Sequence, residues 1–298
     1  MTQRTAILGL GLIGGSIGMA LRAAGWTVVG WGPREASLRS ALALGAIDLF
    51  AGTVREAIEN AGLVIVASPI RAMPDLFRAI AHAARPGTVV TDVASVKAQV
   101  MAWAAELLPP SIHFVGGHPM AGREVQGVAA ADAGLLRGCT YCLVGGDEAG
   151  LAEAQQLVGA VGARSLVISA EDHDRAVAAA SHLPFVTAAA LVQCLGTELA
   201  DLAGSVASSG FRDSTRIALG SAAMHADICN FNSRAIGEMI DRLIHELELF
   251  RQELDSPGIE RRFEEAAQAR QLWGKSRAGR RAEDTKQAGL FIVPGREG

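Results

Sequence analysis

Gly9-Leu10-Gly11-Leu12-Ile13-Gly14 is the first run in the chain whose residue types and spacing could do chemistry. Gly9 permits a tight turn, and Gly11 lets the backbone approach a pyrophosphate. Gly14 lets a helix pack closely on a strand, with the phosphates at the positive helix N-terminus. The pattern alone is a weak signal. Its context strengthens it: the apolar run Thr5–Leu8 precedes it and an amphipathic stretch, Ile13–Ala24, follows. Sites of this kind usually place Asp or Glu after the second strand, accepting from the ribose hydroxyls. Here the run ending at Trp31 is followed by Gly32-Pro33-Arg34-Glu35. The missing carboxylate and the nearby Arg34 favour the 2′-phosphate of NADP. NAD remains possible if Glu35 takes the acidic role and Arg34 is a solvated surface charge. The candidate cofactor residues are Gly9, Gly11, Leu12, Ile13, Gly14 and Arg34, with Ser68 and Pro69 after a later strand.

A second set of polar residues follows other apolar runs. His118, in His118-Pro119-Met120-Ala121-Gly122-Arg123-Glu124, comes after a strand predicted to end near Gly116. Doubly wound sheets bind ligands at that end of their strands, so this histidine is a candidate catalytic group rather than a bland surface residue. Ser95 stands at the equivalent end of another strand, where it could cap the next helix, act on a ligand, or do both. Ser208–Arg216 reads as a polar break between helices, and an arginine there can offer a fork to a carboxylate. The competing reading pairs Arg216 with Asp213; two arginines beside one aspartate still leave one available. Cys139-Thr140-Tyr141-Cys142 has no second CxxC and falls in a predicted strand, and His173 and His182 lack metal-ligand spacing, so no metal is expected.

These residues need a scaffold. Apolar runs at Thr5–Leu8, Thr27–Trp31, Leu63–Ala67, Val89–Asp92, His113–Gly116, Thr140–Val144 and Arg164–Ile168 are predicted strands. Amphipathic stretches such as Ala72–Ala84 and Lys97–Leu107 lie between most of them, which argues for a parallel sheet covered on both faces. After Ser169 the pattern changes to apolar-faced helices at Ala176–Ala180, Val186–Leu195 and Ala235–Leu254, with no convincing strand. The expected division is a dinucleotide-binding domain over 1–169, a helical substrate and dimerisation domain over 170–270, and a polar tail over 271–298. A length of 298 residues allows two domains, and a net charge of −4 calls for neither nucleic acid nor an anionic membrane. The longest apolar stretches, such as Ala61–Pro69, are too short to span a bilayer, no signal peptide is evident, and four cysteines suit a reducing, cytoplasmic setting.

Taken in order, the blocks Gly9–Gly18 (GLGLIGGSIG), Asp92–Lys97 (DVASVK), Gly117–Glu124 (GHPMAGRE), Ser181–Pro184 (SHLP) and Gly210–Arg216 (GFRDSTR) resemble the prephenate and arogenate dehydrogenases from about Thr5 to about Leu254. The resemblance implies a Rossmann-type α/β domain followed by an all-α domain that forms a homodimer. It implies oxidative decarboxylation of arogenate or prephenate, with His118 catalytic, Ser95 assisting it, Arg216 holding a substrate carboxylate and Glu124 letting substrate in. His182 and Phe185 belong with the substrate residues. Many prephenate-using members read SHLPH; Phe185 stands at the last position here, as in arogenate-preferring members, although it could equally pack the helical core. A dehydrogenase of an amino analogue of prephenate is one alternative. A β-hydroxyacid dehydrogenase is another, but that class needs a helical-domain lysine, and the chain's only lysines are Lys97, Lys275 and Lys286.

Overall fold

The computed structural model describes the backbone of residues 4–288 and the side chains of residues 4–274. The chain begins with β1 (Arg4–Leu8), α1 (Leu12–Ala23), β2 (Thr27–Trp31), α2 (Glu35–Ala43), β3 (Leu49–Phe50), α3 (Val54–Ile58), β4 (Leu63–Val66), α4 (Met73–Ala83), β5 (Val89–Asp92) and α5 (Ala98–Leu107). It continues through β6 (His113–Pro119), β7 (Thr140–Val144), α6 (Glu148–Ala160) and β8 (Arg164–Val167). Among the described residues helices alone follow: α7 (Ala170–Val177), a π-helical turn (Ala178–His182), α8 (Leu183–Gln193), α9 (Gly196–Val206), α10 (Ser209–Thr215), α11 (Ala222–Phe231), α12 (Ser233–Glu253) and α13 (Gly258–Ala288).

The eight strands form one sheet in the order β3-β2-β1-β4-β5-β6-β7-β8. The order reverses between β1 and β4, and ligands bind doubly wound sheets at such a switch point. Strand residues alternate between two apolar layers. Ile7, Leu63 and Ile65 face Ile17, Leu21 and Leu157, whereas Leu8, Val64 and Val66 face Phe77, Ile80 and Val100. Runs buried on both faces are what a helix-covered parallel sheet requires. Helix α1 stops where the sequence says it should. Gly25 adopts φ +84°, and the Gly25 and Trp26 amides donate to the Arg22 and Leu21 carbonyls, closing the end.

The structure departs from the sequence reading in several places. The two-residue strand β3 was too short to show an apolar run. Strand β7 pairs antiparallel with β6, because no crossover helix separates them; a parallel return needs one. Ser208–Arg216, read as a break, is α10 and the start of a 3-10 turn. The tail read from 271 continues α13 as far as Ala288, and 289–298 lie outside the described residues. The stretches Ala176–Ala180 and Val186–Leu195, read as separate helices, belong to one continuous helix over Ala170–Gln193, long and apolar enough by composition to cross a membrane. Its inward side chains include His173, Asp174 and His182, which a hydrocarbon core would leave desolvated.

The chain divides into two compact units between Met239 and Ile240. All candidate site residues lie in the first. In the second, Arg262 joins Glu253 (2.9 Å) and Glu246 (3.3 Å), and Phe250 packs on Phe263.

Candidate active site

The glycine turn sits at the switch point. The Gly9 amide donates to Trp31 O at the end of β2, and the Ala67 amide donates to Leu8 O, so the turn is locked between β2 and β4. Gly9 has φ +112°, and a Cβ there would lie 2.5 Å from Ala67 O. A Cβ on Gly14 would lie 2.1 Å from Gly9 O, which is the close helix–strand approach expected of that position. A Cβ on Gly11 would meet nothing within 4 Å. Open space there, at the start of α1 with no side chain capping it and no acidic residue in its first turn, is a cradle that suits a phosphate. Leu12 and Ile13 form the first turn beside it. Ser68 donates to Leu8 O at 2.8 Å, and Pro69 leads a short 3-10 turn after β4.

Beyond β2, the second half of the cofactor question is visible. Glu35 is engaged by Arg39, one turn along α2, at 2.6 Å. Arg34 is exposed, and its guanidinium has no hydrogen-bond or ion-pair partner among the described residues. The residues present therefore fit a dinucleotide at the glycine turn, with a free cation rather than a free carboxylate beside its ribose end.

His118 lies within β6, which runs through Pro119 rather than ending near Gly116, and is 7% exposed. Its Nδ1 is 2.9 Å from Nε2 of His173, whose Nδ1 is 2.8 Å from Asp174 Oδ1. His118 Nε2 has no hydrogen-bond partner among the described residues. Burial, then the neighbouring His173, Lys97 and His182, hold the His118 pKa well below the usual imidazole value, so the ring is neutral at neutral pH. Behind it, the fully buried Lys97 pairs with Asp92, whose other carboxylate oxygen accepts from the Gly117 amide at 2.9 Å. That buried pair fixes the backbone immediately before His118.

Ser95 lies in the bend after β5, makes no hydrogen bond to His118 and does not cap α5; the cap position there is Lys97. Arg216 pairs not with Asp213 but with Glu124, from the loop after β6, so two residues assigned separately to substrate are joined. His182 is buried, with Nδ1 3.2 Å from Asn232 Nδ2 and Nε2 unpartnered, and burial lowers its pKa to about 4. Phe185 stacks on His225 with ring centroids 4.1 Å apart and 2° between planes, and touches His182.

Nine residues separate His173 from His182, and nine α-helical steps of about 100° would leave them on opposite faces. The π-helical turn over Ala178–His182 absorbs one residue and brings His182 back toward the side of His173. Sequence reasoning missed His173, Asp174, Asn232 and His225. Their apolar neighbours give a helix pattern, but nothing local signals that a buried His-Asp pair reaches a strand end 55 residues earlier. The one available hint was His173-Asp174 itself, polar residues on a face otherwise apolar.

A glycine turn at a sheet's switch point and a neutral histidine at a neighbouring strand end define a nicotinamide-dependent dehydrogenase. Comparison with known proteins narrows this. The family described as prephenate dehydrogenase, nucleotide-binding domain, matches residues 17–167, and prephenate dehydrogenase, dimerization domain, matches residues 169–267. The chain belongs to the prephenate dehydrogenase family. It is 34% identical over 271 residues to prephenate dehydrogenase of Bacillus subtilis (strain 168), covering 88% of this chain and 73% of that one. The structure of Synechocystis arogenate dehydrogenase superposes with TM-score 0.77 at 28% identity, covering 91% of this chain and 100% of the other. That of the A. aeolicus prephenate dehydrogenase, solved in complex with hydroxyphenyl propionate and NAD+, gives TM-score 0.78 at 27% identity over 95% and 98%.

Proposed function

We propose that the protein oxidatively decarboxylates arogenate, and prephenate less well, with NADP preferred over NAD. The observation that carries this reading is the buried, neutral His118 with an unpartnered Nε2 at the ligand-binding end of the sheet. A bound nicotinamide supplies the acceptor for the hydride that leaves C4 of the ring. His118 Nε2 takes the proton of the C4 hydroxyl as carbonyl character develops. The ring carboxylate then departs as carbon dioxide, and its bonding pair enters the ring. The oxygen at C4, now phenolic, recovers the proton from His118. The histidine holds that proton only briefly, which suits a ring whose burial disfavours the charged form. Ser95, at the end of β5, assists at the same hydroxyl. Arg216 binds a substrate carboxylate by exchanging its partner Glu124 for the ligand, so Glu124 acts as the gate.

Gly9, Gly11, Leu12, Ile13, Gly14, Ser68 and Pro69 would hold the dinucleotide, and the unpaired Arg34 would take the 2′-phosphate. Arogenate is preferred because Phe185 offers no donor to a pyruvyl ketone. His225, stacked on Phe185, is the observation favouring the second reading, since its imidazole could make that bond and sustain prephenate use. Initial rates for both substrates, each with NADP and NAD, test the assignment; activity with neither substrate overturns it.

The working assembly is a homodimer formed through the helices. Leu199, Leu202 and Val206 on α9 are exposed, and α9 buries no residue within the monomer. We place the functional division at 169/170 rather than at 239/240; the nucleotide-binding family match ending at 167 and the dimerization match starting at 169 support a division close to there. Helix α7 joins the first compact unit because Asp174 is tied to the start of α5. Four free cysteines support a reducing, cytoplasmic location.

A further inference from the structure

We infer that His173 and Asp174 are positioning residues that fix the tautomer of His118, placing its proton on Nδ1 and its lone pair on Nε2. The inference rests on the reading of His118 as proton acceptor and adds what makes it one. Neutral imidazole exists in two tautomers, and only one leaves Nε2 bare.

The assignment starts from Asp174. Its Oδ1 accepts from the Lys97 amide at 2.7 Å, and its Oδ2 accepts from the Ala98 amide at 2.9 Å. These are the first amides of α5, a helix with no side-chain cap of its own, so Asp174 caps it from 76 residues away. Burial pushes the Asp174 pKa up, but the bonds from His173 and the two amides outweigh it and hold the carboxyl below its ordinary range. A carboxylate only accepts. His173 Nδ1, 2.8 Å from Oδ1, must therefore carry hydrogen, and in the neutral ring Nε2 is then bare. That bare nitrogen is 2.9 Å from His118 Nδ1, which must donate to it. His118 Nε2 is left as the acceptor. Each proton in the chain thus follows from one fixed negative charge.

The same chain serves the charged form. When His118 binds a proton at Nε2, its Nδ1–H already points at a lone pair backed by a carboxylate. The other titratable groups facing His118 are His182, from the π-helical turn, and Lys97, whose ammonium is held by Asp92. A second proton on His173, at Nε2, would reverse its bond to His118 and force the His118 proton onto Nε2, so the tautomer is a sharp readout.

The test is 15N imidazole NMR of the full-length enzyme at neutral pH, with His118 assigned by its absence in H118N. Protonation of His118 at Nδ1 is expected; protonation at Nε2 overturns the inference, and no variant of the relay is needed to decide. Two variants add the kinetic side. In H173Q the carboxamide oxygen accepts from His118 and its nitrogen donates to Asp174, so kcat should stay within about 10-fold. In H173L the acceptor is gone, and kcat should fall about 10²-fold with KM and cofactor Kd little changed, as for a misdirected base. Equal kcat and an unaltered His118 tautomer in both variants would overturn the positioning role. Normal turnover in H118N would instead sink the catalytic reading of His118 while leaving the tautomer assignment standing.

Discussion

At the scale of single residues, environment decides what each group can do. His118→Asn should cost kcat about 10²-fold or more while leaving cofactor affinity nearly intact, measured by steady-state kinetics and by titration of cofactor binding. The pH profile is a finer check. An ordinary imidazole would lose activity near pH 6.5. Because burial lowers the His118 pKa well below that, kcat should stay flat through pH 6.5 and fall only well under it. An acid limb at or above 6.5 contradicts the buried, neutral base. Arg34→Ala should abolish the NADP advantage and leave kcat/KM with NAD nearly unchanged, since the guanidinium has no partner among the described residues to lose. Phe185→His should raise prephenate turnover relative to arogenate; loss of both activities would mean that the stack on His225 is structural. Most of these residues were legible in the sequence because each stands beside a strand end or a glycine turn. The partners they use were not. Arg216 was weighed against Asp213, three residues back along the chain, whereas it pairs with Glu124, 92 residues away.

At the scale of elements, the glycines of the first turn separate two roles that one motif conceals. Gly14→Ala places a methyl against Gly9 O and should destabilise the fold, lowering Tm by several degrees. Gly11→Ala meets open space and should leave Tm unchanged while weakening cofactor binding about 10-fold or more. Equal Tm values for the two variants would show that α1 shifts freely, and that the turn is no rigid cradle. The buried Lys97–Asp92 pair is a second element-level test. Lys97→Met strands a buried carboxylate, for which about 3–5 kcal/mol of lost stability is expected. Strands β1, β2, β4 and β5 could be read from sequence because both faces are apolar. The direction of β7 could not, since a strand's side chains alternate identically whichever way it runs.

At the scale of the whole molecule, the buried histidines tie stability to pH. The unfolded chain binds protons at His118 and His182 near pH 6.5, whereas the folded chain resists until well below that, about 4 for His182. Between those values the unfolded state holds more protons, so stability falls as pH falls. The slope is about 1.4 kcal/mol per pH unit for each such group. Denaturant midpoints between pH 7 and 5 should show this loss, and H182N should reduce it. Dimerisation through the exposed faces of α9 would add a concentration dependence to Tm. The helical half was the less legible half of the chain. Its long apolar stretches announce helices, but nothing in their periodicity says that Ala170–Gln193 is one continuous rod.

The π-helical turn in that rod has a consequence for chain length. A wide turn of this kind is geometrically one surplus residue accommodated in a bulge, with the helix on either side held in its place. Deleting Ala179 should let the ladder close as ordinary α-helix while His173, Asp174 and Phe185 keep their facing. The same deletion at Ala189, inside regular α8, has no bulge to absorb it and would swing everything beyond by about 100°. The protein should therefore tolerate a shorter gene at one alanine and not at another ten positions on, a contrast readable from soluble yield and Tm alone.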